Sequence, residues 1–177
     1  FGPAYTRQLR RKRAQSSDIW YLDEGVIKIQ GQQYYLWRAV DQDGCILDEI
    51  LQKRLNTKAA KRLLTRLLSS QGVAPKRMIT DKLGSYGSAK RKVMPTVEHL
   101  SHKGLNNRSE NSHLPLRKRE RAMQKFKSPG QLQRFLATFS GLRNLFVPPR
   151  HQRSAIDIYL HRINAFSQWK QAAMLHA

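Results

Sequence analysis

The feature that most constrains this chain is a change in the period of its apolar residues. Up to Leu51 it reads as strands. "IWYLDEGVIKI" (19–29) and "QYYLWRAV" (33–40) are rich in β-branched and aromatic residues, and the turn signal Gln30-Gly31-Gln32-Gln33 separates them. "DQDG" (41–44) is a second turn, leading into "CILDEIL" (45–51). Three such runs joined by short turns predict an antiparallel meander. From Asn56 the period becomes helical: Ala59, Ala60, Leu63, Leu64, Leu67 and Leu68 recur on one face. Asn56 or Thr57 caps the start of that helix, and Gly72 suits its end.

The pattern then alternates. "KRMIT" (76–80) reads as a short buried strand ending at Asp81, "GSYGSAKRKVM" (84–94) as a helix and "VEHL" (97–100) as a fifth strand. Ser128-Pro129 opens another helix, with Leu132, Phe135, Leu136, Phe139 and Leu142 as its apolar stripe, and Pro148-Pro149 ends that unit. Residues 154–174 form a last helix, with Ile158, Tyr159, Ile163, Phe166 and Trp169 available for packing. The expected architecture is α/β. A basic lead-in or arm covers residues 1–18 and includes "RQLRRKR"; the core covers 19–127; a C-terminal helical region, 128–177, packs on it.

Charge narrows the partner. The chain has 177 residues, 33 Lys and Arg against 12 acids, and a net charge of +21 spread along its length. Such a field attracts polyanions, and cation–phosphate contacts release counterions, so nucleic acid is the leading partner class. No membrane is expected, because there is no amphipathic anchor and no run of about 18 apolar residues. The single cysteine, Cys45, excludes an internal disulfide and a Cys-based zinc site. A reducing cytosol fits, and no signal peptide is visible. The chain begins at Phe1, so it is expected to be a segment of a longer protein.

Against this charge the acids are informative. From His99 to Arg153 only Glu110 and Glu120 are acidic, among twelve Lys and Arg. Glu110 is either a helix-start acid favoured by the macrodipole or a residue kept for chemistry. Asp81, at a strand end, is either a helix cap or a site residue, since α/β folds place catalytic groups there. Asp23, in the first strand, is either a solvent-face residue or a partner of Asp81. Alternation sends Asp23 and Glu24 to opposite faces, so at most one serves a given site. If the first and fourth strands are neighbours, Asp23 and Asp81 share a site, and close carboxylates then need a cation. A hard divalent metal suits all-oxygen ligands, and a metal pair suits phosphoryl transfer. Asp41 and Asp43 read as turn residues, and Asp48, Glu49 and Glu120 as surface acids. His113 would share a helix face with Glu110, as a phosphate contact or a ligand. Trp20, Trp37, Phe135 and Phe139 read as core. The run from Arg117 to Arg121 is either a solvated face or a phosphate grip.

Four motifs together resemble a known family: "WYLDE" (20–24), "YLWRAVDQDG" (35–44), "TDKLGSYGSAK" (80–90) and "LNNRSENSH" (105–113), the last followed by "RKRERAM". They are similar to transposases of the insertion-sequence-six family, within the DDE superfamily. The resemblance implies a ribonuclease H-like catalytic core of three antiparallel strands, a crossover helix and further parallel strands, with C-terminal helices. It puts the three catalytic, metal-binding acids on Asp23, Asp81 and Glu110, holding two Mg²⁺ ions, with Mn²⁺ able to substitute. A basic residue seven after the catalytic Glu falls on Arg117, two turns further along one helix, although Pro115 lies inside that helix and would kink it. Lys82, Arg108, His113, Arg117, Arg119 and Arg121 are the implied DNA contacts. Family members carry His where Tyr21 stands and Arg where Gly84 stands; the second change removes a DNA contact. "FGPAY" resembles the segment that follows the family's N-terminal helix-turn-helix. The implied reaction is Mg²⁺-dependent strand cleavage at insertion-sequence ends, then attack of the freed 3′-hydroxyl on target DNA. The implied partners are terminal inverted repeats, target DNA and further copies of the chain on paired ends, in a bacterial cytoplasm at the nucleoid. Two other readings remain open: an inactive DNA-binding relic, and a ribonuclease H-like nuclease.

Overall fold

The computed structural model of the chain describes residues 18–149 and 154–174. The arm expected over residues 1–18 therefore lies outside the described residues, except for Asp18. The described residues fall into two compact units divided after Gln133.

The first unit begins with the expected meander: β1 (Ile19–Ile29), β2 (Gln32–Val40) and β3 (Ile46–Gln52). The first hairpin turns on Gln30 and Gly31, both at positive φ (49° and 79°), the backbone that a two-residue loop needs to match strand twist. In the second turn, the Asp41 Oδ1 accepts from the backbone N–H groups of Asp43 and Cys45, each at 2.9 Å. α1 (Thr57–Gln71) follows. Its cap is Asn56, which accepts from the Ala59 N–H at 3.0 Å, and Gly72 ends it at φ 74°.

Next come β4 (Arg77–Thr80), α2 (Gly84–Val93) and β5 (Glu98–Ser101), and the sheet order is β3-β2-β1-β4-β5. β1 runs antiparallel to β2 and parallel to β4, so the first and fourth strands are neighbours, as expected. Both faces of β1 are covered where it pairs with β4. Trp20 and Leu22 join Trp37, Ala39 and Met78 against Leu63, Leu64 and Leu67 of α1 and Tyr86 of α2. Tyr21 joins Val40, Ile46 and Ile79 in a smaller cluster on the other face. This double coverage explains the nearly continuous apolar run at the start of β1. Trp20 and Trp37 are fully buried, and Trp37 meets Tyr86 edge-on at 5.3 Å.

After a 3₁₀ turn (Lys103–Leu105) come α3 (Asn107–Ser112) and α4 (Leu114–Ala122). A single helix from Glu110 through Arg117 is thus corrected to two helices joined at His113. Pro115 falls in the first turn of α4, where its missing N–H costs nothing. α5 (Pro129–Leu145) opens at Ser128, whose Oγ accepts from the Gln131 N–H at 3.1 Å. It continues into the second unit, where Phe135 and Phe139 stack at 5.0 Å. α6 (Ala155–Met174) packs Phe166 edge-on against Phe146 at 5.0 Å. Among the described residues no helix is long and apolar enough to cross a membrane.

Candidate active site

The shared ladder of β1 and β4 ends where Leu22 pairs with Thr80. The next residues are Asp23 and Asp81, so parallel pairing delivers two carboxylates to the same end of the sheet. Carboxylate oxygens of Asp23, Glu24 and Asp81 lie within 4.8 Å of one another. Glu24 in this group corrects the expectation from alternation. Alternation governs the direction of Cβ, not the reach of a long side chain. Glu24 leaves β1 on the α2 side, where the buried Tyr86 hydroxyl donates to its Oε2 at 3.0 Å. Beyond Thr80 no β4 residue pairs with β1, so Glu24 reaches round that open edge to Asp81.

The three acids repel one another in a half-buried setting. Burial, then the charges of Asp81 and Glu110, raises the Asp23 carboxyl to about 6, while the Glu24 N–H and Arg117 pull it down. Burial, then the Asp81 charge, raises Glu24 to about 7. Tyr86 is pushed well above its ordinary value by burial and by Glu24, so it stays protonated and donates. Asp81 does not cap α2, whose N-cap position is Leu83; its Oδ1 accepts from the Leu83 N–H at 3.0 Å, in the turn before the helix. Its carbonyl accepts from the hydroxyls of Thr80 (2.8 Å) and Ser101 (2.7 Å). The donor set is entirely oxygen and carries excess negative charge, which fits a hard divalent cation.

Glu110 is exposed on α3 and is not one of the three acids within 4.8 Å, yet its charge bears on Asp23. α3 is seated on the sheet by its inner face. Asn106, fully buried, donates through Nδ2 to the Leu22 carbonyl at 2.8 Å, and Ser109 is also fully buried. Arg38, opposite Asp23 on β2, donates to the Ser112 carbonyl and to Glu49 Oε2 at 2.8 and 3.0 Å. Glu49 is therefore not a surface acid but the buried partner of Arg38. Asp48 is buried too, paired with Arg66 at 2.9 Å. Sequence reasoning missed Arg38, although a cation between Trp37 and Ala39 in an apolar strand implies a buried partner.

His113, expected to touch DNA, is turned inward and only 5% exposed, because its ring packs on β1 beside Asp23. Its Nε2 lies 3.6 Å from Asp23 Oδ2. Burial, then Arg38 and Arg117, lowers it to about 3, so the ring is neutral and the contact is not an ion pair. Lys82, Arg117, Arg119 and Arg121 are exposed, as DNA contacts must be; the side chain of Arg108 lies outside the described residues. Arg117 is near enough to lower the proton affinity of Asp23. A basic surface that sequence reasoning also missed is an open groove of about 1130 Å³ beside β3 and the start of α1. Its lining includes the exposed Lys53, Arg54, Lys58, Lys61 and Arg62.

Residues 17–148 match the family described as the DDE domain. The chain is 27% identical over 164 residues to the transposase for insertion sequence-like element IS431mec of Staphylococcus aureus strain Mu50, covering 90% of this chain and 70% of that protein. The figures are the same for the S. aureus transposase of insertion sequence element IS257 in transposon Tn4003. Among solved structures, the fold is similar to a chain of the simian T-cell lymphotropic virus intasome in complex with PP2A regulatory subunit B56 gamma. There the TM-score is 0.54 at 18% identity, over 71% of this chain and half of that one. The HTLV-2 integrase catalytic core domain in complex with magnesium matches with a TM-score of 0.51 at 17% identity, over 81% of this chain and 90% of that one. These neighbours identify the sheet and its helices as a ribonuclease H-like core. With the fold, the acids at the β1–β4 end and the match over residues 17–148 in agreement, the chain belongs to the DDE transposases of the insertion-sequence-six family, a catalytic domain for phosphoryl transfer on DNA.

Proposed function

We propose that this domain cuts DNA at the ends of an insertion sequence and joins the freed 3′-hydroxyl to target DNA, with Asp23, Asp81 and Glu110 holding two Mg²⁺ ions that Mn²⁺ can replace. The observation that carries this reading is the crowding of carboxylates at the end of the β1–β4 ladder, which Arg117 offsets only in part. When bound, a pair of divalent ions supplies charge stabilisation for the attacking and leaving oxygens of an in-line displacement. The protein's own groups do the rest. Tyr86 fixes one oxygen of Glu24, the Leu83 N–H fixes one oxygen of Asp81, and Arg38 holds α3, and with it Glu110, at the rim of the site. Arg117 and Arg121, one helical turn apart on α4, face the same way and grip phosphates beside Asp23, with Lys82, Arg108 and Arg119 extending the contact. The groove at Lys58, Lys61 and Arg62 takes the backbone of the duplex further along.

The DNA is the element's terminal inverted repeats and a target duplex. The working unit is an oligomer of this chain on paired ends, in the cytoplasm at the nucleoid. The test combines the chain with terminal-repeat DNA, a target plasmid and Mg²⁺. Cleavage and joined product are expected, and Asp81→Asn and Glu110→Gln should abolish both; full activity in either variant sinks the assignment. Mn²⁺ titration separates two candidates for the third ligand. Loss of binding in Glu24→Gln with retention in Glu110→Gln would transfer that role to Glu24.

A further inference from the structure

A nitrogen without a partner lies beside the site. The His113 Nε2 is buried and makes no hydrogen bond among the described residues. Buried polar atoms are nearly always satisfied, so an exception beside a cluster of acids asks for a reason. The nearest carboxylate is that of Asp23, whose Oδ2 is 3.6 Å away, less than an ångström beyond hydrogen-bond length.

The ring is held there by a specific accommodation in β1. A Cβ on Gly25 would lie 2.8 Å from the His113 Nδ1 and 3.1 Å from its Cε1. Gly25 is two residues beyond Asp23 and so on the same face of the strand. The only glycine in β1 therefore stands where the ring approaches the strand most closely. Two further bonds fix the segment that delivers His113: Asn106 to the Leu22 carbonyl, and Arg38 to the Ser112 carbonyl. Each anchor is adjacent in sequence or register to Asp23 or to His113.

We propose that His113 is the positioning residue for Asp23: its Nε2–H donates to Oδ2, which turns the other carboxylate oxygen toward the metal, and Gly25 exists to admit the ring. The inference rests on the reading of Asp23 as a metal ligand. It supplies that ligand with the hydrogen bond that metal-binding carboxylates ordinarily receive from a second group. It also replaces the expected DNA contact with an inward role.

The test uses the 177-residue chain and Mn²⁺ as the probe, with affinity read by electron paramagnetic resonance. A Gln amide nitrogen reaches the place of Nε2, whereas an Asn amide nitrogen reaches only that of Nδ1. His113→Gln should therefore stay within about threefold of wild type, and His113→Asn should bind Mn²⁺ about tenfold more weakly. Gly25→Ala, which crowds the ring, should match His113→Asn. Asp23→Asn is the control for the underlying reading. If it binds Mn²⁺ like wild type, the metal role of Asp23 is wrong. If it abolishes binding while His113→Asn and His113→Gln are equal to each other, only the positioning role is overturned. One measurement needs no variant: ¹⁵N–¹H spectra of the wild-type ring should show the proton on Nε2, its signal moving when Mg²⁺ is added. A proton on Nδ1, or no movement, overturns the inference whatever the variants do.

Discussion

Asp81→Asn should stabilise the metal-free protein while destroying its activity. The Asp81 charge raises the proton affinity of both Asp23 and Glu24, and the three carboxylates approach within 4.8 Å. At that distance a pair of unit charges with an effective dielectric of about 20 repels by about 3.5 kcal/mol. Solvent reaches the site and Arg117 offsets part of the field, so a net gain of about 2 kcal/mol is expected on removing one charge. For a chain of this size that is a rise of about 4–8 °C in melting temperature. Asn keeps an oxygen for the Leu83 N–H, so that turn survives.

The pH dependence gives a sharper signature. Asp23 and Glu24 bind protons more tightly folded than unfolded, from 3.8 to about 6 and from 4.5 to about 7. Their contribution to stability therefore falls as pH rises through about 4 to 7. His113 works in the opposite sense: lowered from 6.5 to about 3, it makes stability rise over about pH 3 to 6.5. The two effects overlap below about 6.5, and above it the acids act alone. Chemical denaturation of wild type and Asp81→Asn between pH 6 and 8, with chelator present, should show wild type losing stability with pH more steeply. Equal slopes, or a variant less stable at pH 8, would refute the idea that the site stores electrostatic strain. Added Mg²⁺ should restore wild type and leave the variant nearly unchanged.

Arg38→Met should cost about 3–5 kcal/mol by urea denaturation, because it removes the guanidinium that balances the buried Glu49 charge, and adding Glu49→Leu should recover most of the loss. Replacing Lys58, Lys61 and Arg62 together with Ala should reduce the slope of log affinity against log salt for duplex DNA by about 2 to 3, each lost phosphate contact being worth about 0.9. An unchanged slope would remove the groove from the DNA path.

The parts of the fold that depend on neighbours in sequence were legible from the residues. The strand–turn–strand period, the Asn56 cap, the Gly72 stop and the Ser128-Pro129 start each follow from local backbone chemistry. So did the meeting of Asp23 and Asp81, because a crossover helix after a meander brings the first and fourth strands together. What alternation and helical spacing could not convey was reach and partner. Glu24 leaves the opposite face and still arrives at the site, because the β1–β4 ladder ends at Leu22, two residues before it. Glu49 and Asp48 look like surface acids until Arg38 and Arg66 are seen beside them. His113 and Glu110, three apart, share roughly one side of α3, but the inner edge of that side is taken by Asn106, Ser109 and His113. Glu110 is left at its outer rim.

That division has a mechanical consequence. Asp23 and Asp81 are placed by backbone pairing within the sheet, whereas Glu110 is placed by the seat of a six-residue helix. The seat depends on Arg38, whose guanidinium bonds both Glu49 and the Ser112 carbonyl. A domain carrying Arg38→Met and Glu49→Leu should therefore fold, yet bind Mn²⁺ more weakly and lose strand transfer, since the segment that carries Glu110 and His113 no longer has its anchor. Mn²⁺ binding weakened about tenfold, with joining reduced by at least as much, is the expected pair of results. Full joining activity would mean that Asn106 alone holds α3, and that the buried Arg38–Glu49 pair serves the sheet rather than the site.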